Sequence, residues 1–143
     1  MQNKIVIFCT SHKIVSYLNK FYPILQMVGL GNDTKFPSNW HLSNSKENIS
    51  DKFFSYADLV GHYYVWKNLL NEYNQDYWVG FSQYRRLWIK NKINTGIELS
   101  FLEKLILKKA DNSWNNYDVI IPSPFFFKKK KNRDFKKYFI ISF

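Results

Sequence analysis

Cysteine is nearly absent: Cys9 stands alone, so no disulfide can form within the chain and a reducing compartment is the expected setting. The three histidines are scattered, and neither zinc-ligand spacing nor a thiol–imidazole pair can be read from them. A glycine-rich phosphate loop and a nucleophile triad are also missing, which removes the commonest nucleotide-hydrolysing and acyl-transfer chemistries. No apolar window reaches the roughly 18 residues a membrane helix needs. The opening MQNKIVIFCT has no small-residue cleavage site behind its short apolar run, so no secretory leader is expected. These absences predict a cytoplasmic protein, with room for peripheral contact at the inner face of the membrane.

Acidic residues are scarce as well, 11 against 21 Lys and Arg, giving a formal charge of +10. Anionic partners are favoured, although charge alone leaves nucleic acid, anionic lipid and phosphorylated metabolites open. Six of the ten net positive charges sit between Lys128 and Lys137, so the body of the chain is only mildly basic. What is plentiful is apolar and aromatic surface, 45% and 20% of the 143 residues, far from the composition of a disordered chain. One globular domain over residues 1–124 is expected, followed by a basic, aromatic tail, 125–143, to which no period assigns a structure.

Lys4 to Thr10 is a β-branched and aromatic run of strand length, suited to burial on both faces. Ligands of open α/β sheets bind at the carboxyl ends of strands, which nominates Thr10, Ser11 and His12. Ile14 to Phe21 predicts a short helix stopped by Pro23, and Ile24 to Val28 a second strand. The long Asn- and Ser-rich loop that follows ends in Asn48 and Ser50, either ligand contacts or caps. Ser55 with Asp58 resembles a capping box opening a helix whose apolar face runs through Tyr56, Leu59, Val60, Tyr63, Trp66, Leu69, Leu70 and Tyr73. That stripe assigns Tyr63 and Trp66 to the core rather than to a sugar platform. Lys67 and Asn68 fall at the helix end, where a cation suits the helix dipole or a ligand.

Tyr77 to Phe81 then predicts a strand delivering Ser82, Gln83, Tyr84, Arg85 and Arg86. Adjacent guanidinium forks at a strand exit match phosphate oxygens and keep their charge. Ser100 and Glu103 form a second capping box, and Tyr117 to Ile121 reads as a buried strand beginning with Asp118. Strands and helices alternate, predicting an α/β fold with a mainly parallel sheet flanked by helices.

Five motifs occur in order: Asn48-Ile49-Ser50, Tyr56-Ala57-Asp58-Leu59, Tyr64-Val65-Trp66-Lys67-Asn68, Gly80 with Tyr84-Arg85-Arg86, and Asp118-Val119-Ile120-x-Pro122. Together they resemble the bacterial domain-of-unknown-function 4422 family of capsular and exopolysaccharide glycosyltransferases, from the first strand to about Pro124. The resemblance implies a GT-A-like, Rossmann-like domain, incomplete at its C-terminus, that transfers a sugar from a nucleoside diphosphate to a lipid-linked or growing glycan. In such an enzyme the candidate catalytic residues are Arg85, Arg86 and Asp118, and the candidate substrate contacts are Thr10, Ser11, His12, Asn48, Ser50, Lys67, Asn68, Gln83 and Tyr84. Gln83 and Asp58 stand where the family pattern has His and Glu. The Asp-x-Asp that holds a divalent metal in many GT-A enzymes is missing, so no metal site is predicted and the arginines are expected to meet the diphosphate directly. The two alternatives are an inactive truncated remnant and a basic nucleic-acid-binding module. The second is disfavoured because the aromatics follow core spacing rather than interleaving with the lysines.

Overall fold

The computed structural model describes residues 4–32, 35–74, 76–90, 99–122 and 139–142. It divides into two compact units, Met1–Tyr84 and Arg85–Phe143. The compositional boundary at residue 124 and the lysine run lie outside the described residues.

In the first unit β1 (Lys4–Ser11) is flanked by β2 (Leu25–Gly29) and β4 (Tyr77–Gln83), with the two-residue β3 (His41–Leu42) beyond β2, all parallel. Six of the eight β1 residues are buried, as its unbroken apolar run requires of an inner strand. On one face Val6 and Phe8 join Val28 and Leu30 under Val60, Tyr64, Val65 and Leu69. The last group comes mainly from α2 (Leu59–Asn68), which crosses between β3 and β4.

The expected helix over Ile14 to Phe21 is instead a 3-10 turn, Ser16–Phe21, packed on β2. Leu18 and Phe21 are its buried residues, with Val15 just ahead of it buried as well, and this spacing of three suits the three-residue turn of a 3-10 helix. The expected long helix is broken as well. A single turn, α1 (Phe53–Tyr56), precedes Ala57, whose φ of +46° no helix accommodates, and α2 starts after Asp58. Ser55 therefore lies inside α1 and caps nothing.

The second unit opens on β5 (Arg86–Ile89), which follows the turn at Tyr84 and Arg85. The backbone of β6 (Phe139–Ser142) pairs with it in parallel, placing a strand in a tail that has no readable period. After α3 (Leu99–Leu105) the chain runs back along β5, with Lys90 N donating to Leu105 O, Leu107 N to Trp88 O, and Ile89 bridging Ile106 antiparallel. Leu87, Ile89, Leu102, Ile106, Leu107, Ala110 and Trp114 are its buried apolar residues. Ser100 lies within α3 rather than ahead of it. The expected strand at Tyr117 to Ile121 is an irregular segment with Tyr117, Val119 and Ile121 62–75% exposed. A short apolar run reads the same whether it is paired or not, and this one pairs with no strand among the described residues. Sheet pairing is mixed but mostly parallel, and no helix among the described residues is long and apolar enough to cross a membrane.

Candidate functional site

The carboxyl ends of β1 and β4 lie side by side, with Thr10 opposite Gln83 in register. Even-numbered β1 residues point toward α2, so Thr10 follows Val6 and Phe8 onto the helix side. There its Oγ1 lies 3.0 Å from Asp58 Oδ1 and 3.2 Å from the Ser82 carbonyl. Gln83 Nε2 donates to Asp58 Oδ2 at 2.7 Å. One carboxylate thus ties together the ends of two strands and the start of α2. Asp58 occupies the cap position but makes no capping bond with its side chain, contrary to the capping box read from Ser55 and Asp58. Its local role is taken over by a long-range one, which sequence spacing cannot distinguish. Asp58 is the residue the sequence reading missed, and the signal available was its place in the Tyr-Ala-Asp-Leu motif.

Close approach of α2 to this cluster depends on Gly61. A Cβ there would meet Thr10 Cγ2 at 2.8 Å and Leu30 Cδ2 at 2.9 Å. His62 follows, half-buried, its ring 4.4 Å from that of Phe81. Burial lowers its pKa, with the Asp58 charge opposing that shift.

Just past β1 the exposed His12 and Lys13 gather around the buried Tyr84. The imidazole meets the phenol ring edge-on at 5.4 Å between centroids, and Lys13 Nζ lies 5.1 Å from the ring centre. Ser11 holds this turn through its Oγ, which donates to Lys13 O and accepts from Lys13 N. Thr10, Ser11, His12, Gln83 and Tyr84 are therefore gathered at one sheet edge. The thiol of Cys9, beneath them, is fully buried and its pKa is pushed up to about 12 by that burial, so it is unreactive.

The remaining sequence-predicted residues stand elsewhere. Asn48 staples its own loop, donating to Asn44 O and Lys46 O and accepting from Ser50 N, while Ser50 Oγ donates to Ser43 O. Lys67 pairs with Glu47, and Asn68 donates to the Glu47 carbonyl. Both lie at the far end of α2, roughly 14 Å along the helix from Asp58 at about 1.5 Å per residue. In the second unit Arg85 occupies the turn, Arg86 begins β5, and Asp118 is on the exposed irregular segment. A separate open cleft of about 450 Å³ in that unit is lined by Lys90, Lys109, Asp111 and Trp114 among others, and by none of the residues picked from the sequence. Among the described residues no three His, Cys, Asp or Glu side chains gather into a metal-binding group.

A mostly parallel sheet flanked by helices, with polar and cationic groups gathered at the carboxyl ends of adjacent strands, defines a Rossmann-like fold. The chain belongs to the family described as domain of unknown function DUF4422, whose model matches residues 4–142. Among solved structures it is similar to the apo form of WbbM, a bifunctional glycosyltransferase, at 26% identity and a TM-score of 0.53. That match covers 71% of this chain and 19% of the WbbM chain, so the chain spans about a fifth of the length of that relative. No curated protein sequence shows a significant match.

Proposed function

We propose that the chain is the donor-binding part of a glycosyltransferase that uses a nucleoside diphosphate sugar. The observation that carries this is the assembled carboxyl edge of β1 and β4, where Asp58 fixes Thr10 and Gln83 and where His12 and Lys13 border Tyr84. The similarity to WbbM supports transferase chemistry over the other anion-binding functions a basic chain could have. Arg85 and Arg86 follow Tyr84 directly in the chain. In this reading they and Lys13 meet the diphosphate charge, which grows as the leaving group departs, and no metal ion is required. Gln83 positions the donor, with Asp58 and the buried Thr10 holding its strand end. The acceptor is a lipid-linked or growing glycan of a capsule or exopolysaccharide. Residues 128–137 add contact with anionic lipid at the inner face of the cytoplasmic membrane, at about 1 kcal/mol per basic residue near the surface.

The test is calorimetric titration of the chain with uridine, guanosine and thymidine diphosphate sugars, with and without manganese. One donor class should bind, and Arg85→Ala, Arg86→Ala or Lys13→Ala should each weaken it by about tenfold, the scale of one lost charge-assisted contact. Asp58→Ala should weaken it through the loosened strand ends, with Asp58→Asn retaining more. Undiminished affinity in the arginine variants would refute their role, and the absence of any nucleotide-sugar binding would refute the reading itself.

A further inference from the structure

Trp66 is 56% exposed and Leu59 is 55% exposed, although both belong to the apolar pattern of α2. With Tyr63 between them at helical spacing they form an outward stripe on the side away from the sheet. An isolated exposed Trp needs no explanation, but this one is held in place. Its ring meets Tyr63 edge-on at 5.7 Å between centroids, and Lys67 Nζ lies 4.4 Å from its centre. Tyr63 in turn donates its hydroxyl to Glu47 Oε1 at 2.9 Å, and Lys67 reaches the same oxygen at 3.3 Å. Asn68 fixes the Glu47 backbone through its carbonyl at 2.8 Å. Lys46, just before Glu47, has a φ of +50°, a conformation costly for a residue with a Cβ. Three side chains, Tyr63, Lys67 and Asn68, and a strained backbone thus hold an aromatic plane and a carboxylate at the surface, where core packing does not ask for either.

We propose that Tyr63, Trp66, Lys67 and Glu47 form a binding site for neutral oligosaccharide. The exposed ring offers a flat apolar surface for the C–H face of a pyranose. Beside it, Glu47 Oε2 has no protein partner among the described residues and accepts from sugar hydroxyls, while the Lys67 ammonium donates. The aromatic plane loses little entropy on binding because it is already ordered. Charge favours this occupant over polyanions and anionic lipid: Lys67 is paired with Glu47, which leaves only Lys46 in excess beside the ring, a weak local charge on a chain of +10. The site is separate from the strand-edge cluster and does not rest on the donor reading.

Saturation-transfer NMR on the full chain with maltoheptaose, cellohexaose and mannan- and galactan-derived oligosaccharides tests it. At least one probe should receive saturation. Trp66→Ala should weaken that binding by about three- to tenfold, the scale of a lost aromatic contact, with Trp66→Phe retaining part. Glu47→Gln should weaken it too, and both Trp66 variants should melt like the parent because the ring lies outside the core. Nucleotide-sugar affinity should be unchanged in Trp66→Ala, which separates this site from the donor site. No transfer to any probe, or equal affinity in Trp66→Ala, overturns the proposal. So does Trp66-dependent sedimentation with phosphatidylcholine vesicles without saccharide binding.

Discussion

The two faces of α2 carry similar residues and have opposite surroundings. Val60, Gly61, Tyr64 and Val65 are buried against the sheet, while Leu59 and Trp66 stand more than half exposed and Tyr63 is partly covered. Aromatic and apolar content therefore says little about which side of this helix is core; neighbours decide it. The sharpest way to break the comparison is to truncate adjacent residues. Val65 is fully buried, and Val65→Ala should cost about 2–3 kcal/mol through lost transfer energy and the cavity left behind. Trp66→Ala, a much larger truncation, should stay within about 0.5 kcal/mol. Urea melts of the two variants check this, and equal losses would mean that the outer face is packed after all.

Gly61 tests the inner face from the opposite direction, by adding volume. Alanine gains about 1 kcal/mol of helix propensity over glycine. Against that, its Cβ would press on Thr10 Cγ2 at 2.8 Å and Leu30 Cδ2 at 2.9 Å. Leu30 can rotate its terminal methyl away, but Thr10 is held by Asp58 and the Ser82 carbonyl. Overpacking of this kind costs about 1–3 kcal/mol, so Gly61→Ala should lose about 1 kcal/mol net. Because the clash falls on Thr10, donor affinity should drop with it. A variant more stable than the parent would show that α2 moves freely over the strand end.

The inner strands were legible in the sequence. β1, β2 and β4 are short apolar runs between polar boundaries, and their carboxyl ends carry the polar groups the general rule for open sheets anticipates. The strand-edge position of Thr10, Ser11, His12, Gln83 and Tyr84 followed from that rule alone. The long helix was misread because Tyr56 through Tyr73 fit one helical period, and nothing in periodicity reveals that Ala57 takes a positive φ. Asp58 was hidden for a related reason. A carboxylate three residues after Ser55 looks like a local cap, whereas its bonds reach 48 residues back to Thr10 and 25 forward to Gln83. Trp66 lies on the apolar stripe of the helix and so reads as core, whereas its ring is 56% exposed, because periodicity does not show which side of the helix meets the sheet. Residues 117–121 failed in the same way, an apolar run with no strand beside it among the described residues.

The smallest expected effect separates the two faces by pH. His62, against Phe81, and His41, beside Gln26 and near Phe8, are both half-buried, and burial lowers each from its ordinary value of 6.5. Asp58 opposes the shift at His62. At His41 Glu72 opposes it and Lys46 adds to it. The unfolded chain therefore takes up protons first as pH falls below about 6.5, and stability declines with acidification until the folded histidines titrate in turn. The outer face behaves differently. The Tyr63 hydroxyl and then Lys67 hold the Glu47 carboxyl below its ordinary 4.5, so the Glu47 cluster keeps its charge pattern through the same window. Thermal melts at about pH 7.5 and about pH 5.5 should show a lower midpoint in acid, and His62→Gln and His41→Gln should each flatten that slope. Saccharide binding at the outer face should hold constant between those two pH values. If it fell in step with stability, the two faces would be one cooperative unit and the contrast between them would be lost.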